Sequence, residues 1–236
     1  MGDDFQGRII ARFAYEDLNA TRAALLYDVA NTYNQGLADT FTKEFRRQGG
    51  QIVASETYTT DRSLDFRQSL EAIQTANPDL LFLPNYSGDV RRQLRQAEDV
   101  GLKVTFLGAD AWNDLPENPF PELEGSFYTT LWHPQLQQSG NAQFIQAYRQ
   151  AYGESPDASA ALAYDAIALL AQAIETQNST APDAIRQGLQ QLQPYQGVSG
   201  TIDYQGTGDP VKAAIIVKVE NGQAQLYRQI DPQPAP

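Results

Sequence analysis

Four short apolar runs in the first half of the chain each end on residues able to hold a small polar molecule. The first, TRAALLYD, ends at Asp28 and leads to Tyr33, and the second, QIVASETY, ends at Tyr58 with Thr59 and Thr60 behind it. The third, PDLLFLP, runs into Asn85-Tyr86, and the fourth, KVTFLG, into Gly108-Ala109-Asp110. A carboxylate pairs with a cation, an amide and hydroxyls fix orientation, and tyrosine rings supply apolar walls. Asp110 stands out because Gly108, two residues before it, lets the backbone approach closely. Any one of these residues alone is ordinary, since loops after strands are polar in most α/β proteins. Their gathering along one edge is what would make a site.

That gathering requires parallel strands, and the intervening sequence supplies the crossovers. TYNQGLADTFTKEFRRQ, SLDFRQSLEAIQTA and SGDVRRQLRQAEDVG separate the runs, and Leu64, Phe66, Leu70 and Ile73 fall at helical spacing on the second. Strand and amphipathic helix in alternation predict βαβ units with right-handed crossovers, hence a Rossmann-like α/β fold whose parallel sheet is covered on both faces. Such sheets take ligands beyond the carboxyl ends of their strands. Ahead of them, DDFQGRIIARFAYEDL reads as an opening helix with Phe5, Ile9, Ile10 and Phe13 inward. After them come a loop with Pro116, Pro119 and Pro121, a strand in SFYTTLW, and His133-Pro134, which breaks the pattern and marks a crossing between lobes.

Three more helices follow, in NAQFIQAYRQAY, ASAALAYDAIALLAQAIE and PDAIRQGLQQL, then one short strand, GTIDY. Asn221-Gly222 between apolar strands predicts a hairpin, and DPQPAP a disordered tail. From Ala158 to Ile174 the only polar residues are Ser159, Tyr164, Asp165 and Gln172. A helix apolar nearly all round must be buried on most sides. One short strand between His133 and Tyr204 cannot cover it, so its covering sheet is expected to be missing from this chain.

Composition narrows the chemistry. A formal charge of −12 with only four lysines opposes nucleic acid, which needs clustered cations to displace counterions. No apolar run reaches the ~18 residues of a membrane span, no signal peptide begins the chain, and a removed one would leave no trace. The chain has no cysteine, which excludes disulfides, thiolate metal sites and a thiol nucleophile. Neither a GxGxxG after a strand nor a phosphate-cradling GxxxxGK[ST] occurs, and Gly197-Val198-Ser199-Gly200 is not a G-x-S-x-G elbow. The single histidine, His133, has no second imidazole to share a metal. These absences favour a binding protein without cofactor or metal over an enzyme.

LLYDVANTYNQGLADTF, ETYTTDRSLDFRQSLEAI, PDLLFLPNYSGDVRRQLRQAEDVGLKVTFLGAD and ALAYDAIALLAQAI, in that order, resemble the branched-chain amino-acid type of periplasmic binding protein. These are the type I solute receptors of ATP-driven importers. The resemblance runs from about Asp4 to about Tyr227 and implies two α/β lobes that close on a ligand, with a membrane permease as partner and a periplasmic or other extracytoplasmic location. On that plan 5–127 and 211–230 form a complete second lobe, 133–205 a partial first lobe, and 231–236 a tail. Carried over by position, Asp110 takes the α-ammonium of a neutral amino acid. Tyr33, Tyr86 and Asn85 line the site, and Tyr164 lies in the family's Tyr-Asp-Ala-like segment near the hinge.

The groups that hold the α-carboxylate would lie in the missing half-lobe, so the isolated chain should bind weakly and either self-associate or pair with that half. A ligand-binding sensory domain of a signalling receptor is the alternative reading. Three departures stand out. Tyr33-Asn34-Gln35-Gly36 replaces the familiar Tyr-Gly-x-Gly, with Asn34 the best substitute for glycine in a left-handed conformation. The loop before Tyr33 is one residue longer than in close leucine binders, which would displace its ring. Asp110 is shorter than their glutamate.

Overall fold

The computed structural model describes residues 3–60, 64–192, 194–204 and 208–231. Of the tail expected at 231–236, residues 232–236 lie outside them. The chain divides into two compact units, one made of Gly2–Thr129 with Ile216–Tyr227, the other of Thr130–Ile215 with Arg228–Pro236.

The first unit is the predicted α/β layer structure. Its elements run α1 (Asp3–Glu16), β1 (Arg22–Asp28), α2 (Thr32–Arg47), β2 (Gln51–Tyr58), α3 (Arg67–Thr75), β3 (Leu80–Phe82), α4 (Ser87–Asp99) and β4 (Thr105–Gly108). Three short 3-10 turns lead to β5 (Phe127–Thr130), and β8 (Ala214–Glu220) and β9 (Gln223–Ile230) come much later in the chain. They form one sheet in the order β2-β1-β3-β4-β5-β8-β9, with parallel pairing from β2 through β5. The order places β1 and β3 side by side and β4 next, so the ends after Asp28, Leu83 and Gly108 open on one edge. Strands buried on both faces read as continuous apolar runs, and Leu25, Leu26, Leu80, Leu81 and Phe82 are buried accordingly. Phe41 and Phe45 of α2 close one face, Phe41 stacking on Phe82 at 4.5 Å. Ile9, Ile10 and Phe13 of α1 are buried as expected, whereas Phe5 is only half-buried.

Two local readings change. Helix α3 begins at Arg67, so Leu64 and Phe66 precede it. Gln96 of α4 holds them there, its Oε1 accepting from the Phe66 N–H at 2.6 Å and its Nε2 donating to the Leu64 carbonyl at 3.3 Å. Asn34 is helical and not left-handed. The hairpin forms where Asn-Gly predicted it, with φ of 54° at Asn221 and 71° at Gly222. The Glu124 carboxylate accepts from both turn amides, at 2.8 and 3.1 Å, and they hold its carboxyl below the usual glutamate range.

The second unit carries α5 (Asn141–Tyr152), α6 (Ala158–Gln177), α7 (Pro182–Gln191) and the antiparallel pair β6 (Tyr195–Gly197) and β7 (Gly200–Ile202). Strand β6 was not expected; YQG has no alternating apolar pattern and is strand only because β7 pairs with it. Helix α6 buries just one stripe, Ala161, Asp165, Leu169 and Ala173, while Ile167 is 66% exposed and Leu170 37%. Among the described residues it is the one helix long and apolar enough to cross a membrane by length and composition. Its mid-helix Asp165 instead accepts the Val198 and Ser199 amides, at 2.8 and 2.9 Å, together with the Ser199 hydroxyl.

Candidate ligand-binding site

Three of the predicted residues meet on the first unit. Asn31 caps α2, its Oδ1 accepting from the Tyr33 and Asn34 amides at 3.0 and 3.4 Å, and this starts the helix with Tyr33 in its first turn. From there the Tyr33 hydroxyl donates to Asp110 Oδ1 at 2.6 Å. Tyr86, the residue before α4, stacks on Tyr33 with centroids 5.5 Å apart and planes 30° apart. Tyr86 is 54% exposed, and Tyr33 and Asp110 are half-buried, so the two rings stand at the sheet edge and not under the helices. The Tyr33 ring, expected to be displaced, reaches the Asp110 carboxylate.

Asp110 is positioned by residues that drew no attention in the sequence. Its amide donates to Gln6 Oε1 of α1 at 3.3 Å, and the same oxygen accepts from Thr129 Oγ1 at 2.9 Å. Behind it the fully buried Trp112 donates its indole N–H to the Leu83 carbonyl at 3.1 Å, which ties the turn after β4 to the end of β3. The ring lies directly over Gly108, where any Cβ would collide with it. Gly108 therefore serves Asp110 through Trp112, by admitting the indole that fixes the turn.

Asn85 does something other than expected. It is fully buried and its amide is committed on all sides: Nδ2 donates to the Leu26 carbonyl at 2.8 Å and to Gln93 Oε1 at 2.9 Å. Oδ1 accepts from the Asp28 amide at 3.2 Å and from Asn34 Nδ2 at 3.0 Å. An amide with two donors and two acceptor positions filled has nothing to offer a ligand. Asn85 is a brace that joins the ends of β1 and β3 to α2 and α4. The departure to Asn34 also finds its reason here, since that side chain is one of the four partners.

Beside Tyr86 lies a depression of ≈ 570 Å³ lined by Asp28, Asn31, Asn34, Thr60 and Asp89. Thr60 Oγ1 donates to Asp28, and Tyr58 donates to Asp89 at 2.8 Å. Burial, with the Asp89 charge beside it, pushes the Tyr58 phenol well above its usual range, so it stays a neutral donor. Among the described residues no three His, Asp or Glu converge to hold a metal. Tyr164, the remaining predicted contact, belongs to the second unit, where its half-exposed ring packs 5.0 Å from Phe144.

A partly exposed aromatic pair beside a carboxylate suits a small molecule that brings an ammonium group. Known proteins resemble the chain over nearly its whole length. The Leu/Ile/Val-binding protein homolog 1 of Brucella suis biovar 1 is 26% identical over 231 residues, which cover 97% of this chain and 61% of that protein. The crystal structure of a leucine binding protein, LivK, from Thermotoga maritima superposes with a TM-score of 0.88 at 30% identity, covering 98% of this chain and 66% of the other. The substrate binding protein LivJ of a branched-chain amino acid transporter from Streptococcus pneumoniae, solved with isoleucine, gives 0.85 at 27% identity over 98% and 66%. The chain thus spans somewhat less than two thirds of the length of these relatives. The sequence profile described as periplasmic binding protein matches residues 3–224, and the chain belongs to that family, as the order of its motifs implied.

Proposed function

We propose that this chain supplies the ammonium-binding lobe of the substrate-binding component of an ABC importer for a neutral, branched-chain-type amino acid. The observation that supports it is the half-buried Asp110 carboxylate held by Tyr33 at the mouth of a Tyr33–Tyr86 stack. A ligand α-ammonium would bond Asp110 directly, as a charge-assisted pair stronger than the phenol contact already there. Tyr33 has a second use for its hydroxyl as an acceptor, since the Ala111 amide points to it at 3.4 Å. The exposed Tyr86 ring would cover the aliphatic side chain. Asn85 stays outside the contact set, and Tyr164 remains a proposed contact on the strength of the family resemblance. The setting is extracytoplasmic, with delivery of the solute to a membrane permease.

Ligand-observed saturation-transfer NMR on the 236-residue chain tests this. Leucine, isoleucine and valine should receive saturation at millimolar concentration, and N-acetylleucine, which lacks the ammonium, should receive far less. Equal transfer to leucine and N-acetylleucine would overturn the proposed role of the carboxylate.

A further inference from the structure

Asn221-Gly222, at the turn between β8 and β9, is the one Asn-Gly pair in the chain. The pair is chemically labile, because glycine has no side chain to shield its own amide nitrogen. That nitrogen can attack Cγ of Asn221. An N–Cγ bond forms, the Cγ–Nδ2 bond breaks, and ammonia leaves with the former amide proton. Water then opens the cyclic imide to aspartate or isoaspartate, with no oxidant or reductant required. Isoaspartate would carry an extra carbon into the backbone of the turn and shift β9, whose Tyr227 packs edge-on against Phe13 and Phe127 at 5.7 and 5.2 Å.

The folded turn opposes each requirement of that attack. Gly222 must lose its amide proton, and its peptide plane must swing toward the Asn221 side chain. Glu124 lays its carboxylate against the turn, Oε1 accepting from the Asn221 amide at 2.8 Å and Oε2 from the Gly222 amide at 3.1 Å. One oxygen therefore binds the proton that has to leave, and the two bonds together hold the peptide plane. The carboxylate also sets a negative charge beside a nitrogen that must itself become negative. It is a poor base for taking the proton, since the same two amides keep its carboxyl below the usual glutamate range. Left-handed φ at both residues, 54° and 71°, fixes the backbone further. Pro119 crowds the turn, its Cβ lying 3.1 Å from where a Gly222 Cβ would stand.

We infer that Asn221 is a latent modification site, an intramolecular deamidation centre that the Glu124 carboxylate holds closed in the folded protein. It makes no use of Asp110, so it stands whether or not the chain binds amino acids.

Peptide mapping by mass spectrometry during incubation in mildly alkaline buffer tests it, using the wild-type chain, Glu124→Ala, Glu124→Gln and a synthetic peptide of residues 219–225. Asn221 should deamidate about tenfold or more slowly in the folded wild type than in the peptide. Loss of the charged acceptor from the resting turn should speed the reaction about tenfold or more in Glu124→Ala. Glu124→Gln, which keeps the size without the charge, should fall between. Asn178, exposed at the end of α6 and followed by serine, is the internal control and should convert at one rate in all three proteins. Circular dichroism establishes that each variant folds; if Glu124→Ala does not, Glu124→Gln against the wild type decides. A wild-type rate equal to that of the peptide, or a folded Glu124 variant no faster than the wild type, would overturn the inference.

Discussion

Asn85 and Asp110 are both polar residues directly after a strand, yet one faces inward and the other outward. Residue type alone cannot separate them, because the difference lies in which partners the sheet order brings near. Asn85 sits between β1 and the starts of two helices, and four groups from Leu26, Asp28, Asn34 and Gln93 converge on its amide. Replacing it with alanine strands those groups in a buried setting, at ~1–3 kcal/mol for each left unpaired. Asn85→Ala should lower stability by ~3 kcal/mol or more in urea denaturation, and a loss under ~1 kcal/mol would mean that the amide is not a brace. Gly108 offers a second residue-scale test. Gly108→Ala forces the Trp112 indole aside and should cost ~1–3 kcal/mol, the range for overpacking. Near-UV circular dichroism from the displaced tryptophan would report the same event, and an unchanged spectrum would contradict it.

At the scale of elements, the parallel strands were legible because burial on both faces leaves no room for polar residues at positions 23–26 of β1 or in β3. The hairpin was legible because Asn-Gly suits left-handed backbone. The start of α3 and the strand β6 were not, since Gln96 and β7 respectively impose them from a distance. The link between β7, its turn and α6 has a pH signature, because the buried Lys212 donates from Nζ to the Ser199 carbonyl and hydroxyl. The folded-state pKa of Lys212, about 8, lies below the 10.5 of an exposed lysine, chiefly through desolvation. Between those values the unfolded chain holds more protons, so the Lys212 contribution to stability rises with pH across that window. The shift corresponds to about 3 kcal/mol of penalty on the charged form at neutral pH. Stability of the wild type relative to Lys212→Met should therefore increase from pH 8 to pH 10.5, measured by denaturant titration at each pH. A difference that is flat or falls across the window would show that the ammonium is not desolvated.

For the whole molecule, the question is what covers α6. Its exposed face carries Tyr164, Ile167 and Leu170, on a helix whose sequence is apolar nearly all round. Burying such side chains is worth ~1.5–3 kcal/mol each, enough to drive contact between copies. The 236-residue chain should accordingly self-associate in light scattering, and Ile167→Glu should shift it toward monomer without loss of fold. A monomeric wild type at tens of micromolar would contradict this. The exposure of α6 was readable from its composition, because the one short strand expected between His133 and Tyr204 could not cover it. The pairing of Lys212 with Ser199 and Asp165 was not, since it joins residues from three elements.

The most direct test of the proposed ammonium site is the affinity for leucine of the wild-type chain against Asp110→Asn, followed by NMR titration of assigned amide signals. The substitution keeps size and a hydrogen bond to Tyr33 while removing the charge. Leucine should shift the signals of Tyr33, Tyr86 and Asp110 in the wild type, and Asp110→Asn should bind ~1.5–3 kcal/mol more weakly, the scale of a charge-assisted hydrogen bond. Equal affinity in the two proteins, or leucine shifts confined to other residues, would contradict the assignment of Asp110 as the ammonium partner.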